Sequence, residues 1–208
     1  MSNKRFEFSG PVIVYLLTAT FLVALGLIIN GAEITESSRL FLRISGRLAM
    51  FLLFISFGAS ALHNLFQAGW TAYLLRNRRY FGISTAIVLW LHFLVILSLS
   101  ITAPAWFEAS VPWFILYPGS ATFILVGLMA LSSNEYSRMK LGHRVWKMLH
   151  LVAGYTALAS FVGEYVLVLY LQPVLLPNYE FVTANSPVMA YMLFSVPILL
   201  LYLRLWKR

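Results

Sequence analysis

Long runs of apolar residues with few charges inside them constrain the fold of this 208-residue chain more than any other feature. Backbone groups cannot bond to water inside a bilayer, so a segment that crosses one must be a helix or part of a closed barrel. The runs here are continuous rather than alternating, which indicates helices. The six runs lie at about 11–32, 40–66, 81–103, 112–132, 142–172 and 187–203. The sequence therefore predicts an all-α integral membrane protein, a six-helix transmembrane bundle that forms a single domain over 1–208.

The composition agrees with a lipid environment and excludes several kinds of site. Hydrophobic residues make up 61% of the chain and charged residues 11%, with a mean hydropathy of +0.82. A soluble core of this size cannot bury so much apolar surface, so membrane lipid is an expected partner. The chain has no cysteine, which excludes disulfides, iron–sulfur clusters and c-type haem attachment.

The distribution of charge predicts the orientation of the helices. Lysine and arginine residues gather before the first run, in loops 67–80 and 133–146, and after the last run, whereas the other three loops each carry acidic residues. Basic loops face the cytoplasm in most membrane proteins. All four basic regions fall on one side of a six-helix bundle, so the N- and C-termini are both predicted to be cytoplasmic. Because the net charge of +8 is concentrated at helix ends, no nucleic-acid partner is expected.

Two histidines lie inside the apolar runs and are the main candidates for a site. His92 is about eleven residues into the third run, roughly 16 Å from its charged end, and His150 is in the first half of the fifth run. Both runs pass from the inside to the outside, so both histidines should lie in the inner half or near the midplane. Buried imidazoles can be polar groups satisfied by neighbouring helices. Two of them at similar depth are also the simplest way to hold a haem iron from both sides.

Three further residues are candidates for contact with such a cofactor. His63, near the inner end of the second run, is either a haem neighbour or ligand or an interfacial histidine. Gly154 is one turn from His150, where a small residue permits close approach of a macrocycle or of another helix. Arg79 and the other arginines of loop 67–80 either anchor the topology or receive an electron donor and haem propionates.

Arg47 and Glu164 form a second candidate site in the outer half of the membrane. Each is predicted to lie about two helical turns from the outer end of its run. Unpaired charges at that depth are costly, so the two side chains are expected to pair. The pair is either structural or part of a polar pocket for a quinone.

Three sequence blocks resemble the ferric-reductase-like transmembrane family, and in particular its MsrQ branch of haem-bearing bacterial membrane subunits. The blocks are Ile44–Ala49, Arg78–Gly82 followed by His92, and Leu131–Ser133 continuing through Lys140–Gly142 to His150. The resemblance implies a b-type haem ligated by His92 and His150. The position that holds a second histidine in that family's fifth helix is Gly163 here, so one haem per chain is expected.

The resemblance also implies a function. The expected protein is a membrane cytochrome b of the bacterial inner membrane, the electron-transfer subunit of an oxidoreductase. The loops are too short for a flavin or nucleotide domain, so the electron donor should be a cytoplasmic partner protein or a quinol. A larger membrane complex is a possible setting. The alternative is a structural or assembly subunit of such a complex, with no redox role of its own.

Overall fold

The computed structural model describes residues 10–29, 34–111, 113–166, 191, 195–200 and 202–203. The part of the chain so described is helical apart from short turns and contains no strand, which confirms the all-α class. The helices are α1 Gly10–Ile29, α2 Ile34–Phe66, α3 Gly69–Thr102, α4 Pro104–Ser110, α5 Trp113–Leu131, α6 Glu135–Leu141 and α7 His143–Val166. Residues 30–32 of the first predicted run, 167–172 of the fifth, and 187–190, 192–194 and 201 of the sixth lie outside the described residues.

Within the described residues, three helices are long and apolar enough to cross a membrane, at Thr35–Phe66, Gly69–Thr102 and His143–Glu164. A fourth crossing is possible if α5 and α6, which meet at a bend of 105°, are counted as one broken span. Helix α1 is apolar but shorter. These helices support an integral membrane protein.

Helix α3 begins at Gly69, whereas the sequence predicted a basic loop as far as Tyr80. The turn between α2 and α3 is only Gln67 and Ala68, and Gln67 adopts a left-handed backbone with φ of 48°. The Thr71 hydroxyl accepts a hydrogen bond from Ala68 N and donates one to Ala68 O, which closes the first turn of α3. Arginine, leucine and alanine favour helix, so the charges in this stretch mark proximity to water rather than the end of the helix.

Two more predicted loops contain short helices. Pro104 begins α4, where its fixed φ suits the first turn and its missing N–H is not needed. Asn134 caps α6 by accepting a hydrogen bond from Ser137 N at 2.7 Å. Pro118, predicted either to kink the fourth run or to mark its start, lies inside α5.

The chain divides into two compact units, 1–92 and 93–208, and the boundary falls within α3. In the first unit α1 packs against α2, and α2 and α3 form an antiparallel hairpin. Three side-chain contacts fix the register of this hairpin, because they step down α2 as they step up α3. They are His63 with Thr71, Ser56 with the carbonyl of Arg78, and Ser45 with His92.

In the second unit α7 packs against both α5 and α6. A hydroxyl pair, Thr122 and Ser160, joins α5 to α7 with an oxygen–oxygen distance of 2.6 Å. Two small residues on α7, Ala153 and Ala157, are fully shielded from solvent. Small side chains allow close approach of helices, which is the usual basis of helix association in lipid.

Candidate functional site

His92 lies on α3 and contacts α2 through one edge of its ring. Its Nδ1 atom is 2.9 Å from Ser45 Oγ. A Cβ atom added at Gly46 would lie 3.5 Å from His92 Cε1, so the backbone of α2 passes directly beside the ring. Ser45 is fully buried. Adjacent small residues on α2 therefore form the surface against which the imidazole rests.

The hydrogen-bond partners of Ser45 indicate which ring nitrogen of His92 carries the proton. The Ser45 hydroxyl donates to Phe41 O at 2.6 Å, with a weaker second contact to Leu42 O. A hydroxyl has one proton and two acceptor lone pairs. Because that proton is directed to the backbone, Ser45 Oγ acts as the acceptor for Nδ1–H of His92. The lone pair of the neutral imidazole is then on Nε2, the form in which histidine commonly ligates metals.

His63 has a similar arrangement at the other end of the hairpin. Its Nδ1 atom is 3.0 Å from Thr71 Oγ1, whose own proton goes to Ala68 O. At 1.5 Å per residue, His63 lies about 27 Å along α2 from Ser45, the residue that touches His92. A haem held by His92 is therefore out of reach of His63 as a ligand. In this structure His63 joins the first turn of α3 to the last turn of α2.

His150 lies on α7, and its ring contacts two residues of the second unit. Its Nε2 atom is 3.2 Å from Ser132 Oγ, and its ring centroid is 4.2 Å from that of Trp146. The indole Nε1–H of Trp146 donates to Ser132 O at 2.9 Å, which ties α7 to the end of α5. In contrast to His92, the nitrogen of His150 in contact with a hydroxyl is Nε2.

Three other predicted site residues, Gly154, Arg79 and Glu164, differ in how far they are buried. Gly154 is buried on α7, one turn beyond His150. Arg79 is exposed on α3, with its guanidinium 5.9 Å from the ring centroid of Tyr80. Glu164 is half-buried near the end of α7.

Arg47 is half-buried on α2, only two residues beyond Ser45. The contact between Ser45 and His92 therefore brings Arg47 to nearly the same level as His92, whereas the sequence analysis assigned the two residues to different depths. Successive residues of a helix are about 100° apart, so Arg47 extends from α2 away from the face that touches His92. Arg47 belongs to the first unit and Glu164 to the second, and their pairing stays a prediction.

Comparison with known families identifies the chain. Residues 45–161 match the ferric reductase like transmembrane component, and this match spans more than half of the chain. The chain belongs to this family. No curated protein and no solved structure matches it significantly. Membership in the ferric reductase-like family implies a role in electron transfer within the membrane.

The matched region begins at Ser45 and includes both His92 and His150. Within the described part of the chain, no three His, Asp or Glu side chains gather into a group that could hold a metal ion. The sequence analysis did not single out Ser45 or Ser132 as site residues. Both residues lie in the blocks that resemble the family. The signal that could have marked them was a hydroxyl next to a glycine for Ser45 and a hydroxyl at the end of a helix for Ser132.

Proposed function

We propose that this protein is a membrane b-type cytochrome in which His92 and His150 ligate one haem and pass single electrons. The observation that carries the proposal is the hydrogen bond of His92 Nδ1 to Ser45, inside the region that matches the ferric reductase-like family. That bond leaves the lone pair of His92 on Nε2, one of the two ring nitrogens through which a neutral histidine can ligate a metal. Two histidine ligands fill both axial positions, which suits electron transfer rather than substrate binding at iron.

The residues around the two histidines fit a haem. When bound, the haem supplies reversible one-electron chemistry. Gly154, buried one turn beyond His150, has no side chain that would obstruct a macrocycle. Gly46 allows the Nδ1–Cε1 edge of the His92 ring to rest against α2. His150 would have to exchange its contact with Ser132 for the iron, since both use Nε2.

The topology proposed with this function has six spans, both termini in the cytoplasm and a location in the bacterial inner membrane. The haem would lie toward the cytoplasmic side, and Gly163 in place of a second histidine on α7 supports one haem per chain. An MsrQ-like role in a larger complex would then bring electrons from a partner protein or a quinol. The exposed guanidinium of Arg79 is available to such a partner or to a propionate.

Arg47 and Glu164 are proposed to pair. The pair is either structural or part of a site that binds a quinone as electron acceptor. An arginine can donate to a quinone carbonyl, and a carboxyl group can supply the proton that reduction consumes. The Arg47→Met/Glu164→Leu double variant distinguishes the two roles. Slower re-oxidation of the haem by quinone in a stable double variant supports the acceptor site, and unchanged re-oxidation leaves a structural pair.

Visible spectroscopy of the purified protein tests the haem proposal. We expect a reducible, low-spin b-type spectrum in the wild type that is lost in His92→Ala and in His150→Ala. His143→Ala is the matched control, because His143 is exposed at the start of α7 and should leave the spectrum unchanged. A colourless wild-type protein would instead support the structural or assembly role. Full low-spin haem in both single variants would refute the ligand assignment.

A further inference from the structure

We infer that Ser45 is a positioning residue for the haem, because it fixes the proton of His92 on Nδ1 and thereby sets the reduction potential of the iron. This inference rests on the proposed haem function. Ser45 touches neither iron nor porphyrin in this account, and it acts only through the imidazole of His92.

The contacts of Ser45 determine the direction of its hydrogen bond with His92. Ser45 Oγ is 2.6 Å from Phe41 O, a short contact that uses its only proton. Its second backbone neighbour, Leu42 O at 3.3 Å, is also an acceptor. Of the three contacts of the hydroxyl, only that with His92 Nδ1 at 2.9 Å can supply a donor, so the imidazole donates there. If the proton were on Nε2 instead, Nδ1 and Ser45 Oγ would meet as two acceptors, which is unfavourable at that distance.

The arrangement of Ser45 and His92 is rigid. Ser45 is fully shielded from solvent, and its hydroxyl is held by the backbone of its own helix. The Nδ1–Cε1 edge of the His92 ring also rests against Gly46. Ser45, which accepts the hydrogen bond, and Gly46, which the ring rests against, are consecutive residues of α2. The register of the hairpin therefore determines both the level of His92 and its tautomer.

The hydrogen bond between His92 and Ser45 also affects the metal. A hydrogen bond from the distal N–H of a ligating histidine orients the ring and raises the basicity of the other nitrogen. A more basic ligand stabilises ferric over ferrous iron and lowers the reduction potential. Removing such a partner usually weakens metal binding by 10- to 100-fold. A neutral hydroxyl should fall at the low end of that range.

The test compares Ser45→Ala with Ser45→Thr in the full-length, haem-loaded protein. We expect Ser45→Ala to raise the midpoint potential and to speed haem loss to an acceptor protein by about tenfold. Ser45→Thr keeps a hydroxyl that can bond back to Phe41 O, so it should retain the wild-type potential. Thr85→Val is the matched control, because Thr85 is also fully buried and its hydroxyl bonds back to Phe81 O without touching His92.

The outcomes separate this inference from the proposed function. A wild-type protein without haem would overturn both. A haem-loaded wild type whose potential is the same in Ser45→Ala would overturn the role of Ser45 alone. An equal upward shift in Ser45→Ala and Thr85→Val would also overturn it, because any lost buried hydroxyl would then have the same effect. Nitrogen-15 NMR of labelled histidine in the haem-free protein provides a second measurement, because a ring bound to iron through Nε2 keeps its proton on Nδ1 in either variant. Nδ1 protonation of His92 in wild type but not in Ser45→Ala supports the inference, and the same tautomer in both overturns it.

Discussion

Ser132→Ala should tighten haem binding, which is the opposite of the effect expected when Ser45 loses its hydroxyl. Ser132 Oγ lies 3.2 Å from Nε2 of His150, the nitrogen that a haem iron would use. The hydroxyl and the iron therefore compete for one atom, whichever of the two partners donates the hydrogen bond. Removing the hydroxyl removes one competitor.

The size of the effect follows from the strength of that hydrogen bond. Side-chain hydrogen bonds between membrane helices contribute about 0.6 kcal/mol on average and at most about 1.7 kcal/mol. Since about 1.4 kcal/mol is a factor of ten, His150 should bind iron about threefold more tightly in the variant for an average bond, and at most about sixteenfold more tightly. The backbone contact between Trp146 and Ser132 O does not depend on the side chain and should persist.

Two measurements check this expectation. Haem loss to an acceptor protein should slow by about threefold, and at most by about sixteenfold, and the low-spin fraction of the spectrum should rise. Ser133→Ala is the matched control, because the neighbouring hydroxyl also bonds back to Met129 O but has no contact with His150 in the described structure. Faster haem loss in Ser132→Ala than in Ser133→Ala would show that Ser132 supports the ligand, and the competition argument would be wrong.

Three further predictions concern the hairpin and the topology. Gln67→Gly should raise the free energy of unfolding by up to about 1 kcal/mol in detergent, because a left-handed φ of 48° favours glycine, and an unchanged or lower stability would contradict this. Gly82→Ala should be stabilising by about 1 kcal/mol in the Ser56→Ala background but not in the wild type, because the new Cβ would lie 3.2 Å from Ser56 Oγ; additive effects in thermal unfolding would refute this. Arg76→Cys and Asn134→Cys, in a chain without native cysteine, should resist an impermeant thiol reagent in intact cells, and rapid labelling would reverse the proposed orientation.

Apolar run length was enough to predict the long helices, and charge was a poor guide to where they end. The second, third and fifth predicted runs correspond to α2, α3 and α7, because lipid-length hydrophobicity is a property of the segment alone. The extra turns of α3 before Tyr80 were missed because arginine is a good helix former and signals only the water boundary. Helices α4 and α6 have only seven residues each, too few for a hydrophobic pattern to mark them.

In the candidate site, the sequence predicted the histidines but not the residues that contact them. His92 and His150 could be selected from sequence because an ionisable residue in an apolar run is unusual. Their partners could not, because the contact of Ser45 with His92 depends on the register between two helices that only tertiary packing sets. The same register brought Arg47 level with His92, which counting turns from a predicted helix end did not foresee.

In the proposed cytochrome, the length of the α2–α3 hairpin limits where a cytoplasmic protein donor can deliver electrons. Helix α3 has 34 residues and is about 51 Å long, whereas the hydrocarbon core of a bilayer is about 30 Å thick. The turn at Gln67 and Ala68 is separated from the level of His92 by most of that length. Electron tunnelling through protein decays exponentially with distance, so a donor that touches only this turn would transfer electrons to a haem at His92 very slowly. If the donor is a partner protein rather than a quinol in the lipid, we expect it to bring its redox centre along the side of the hairpin, closer to the membrane than the turn.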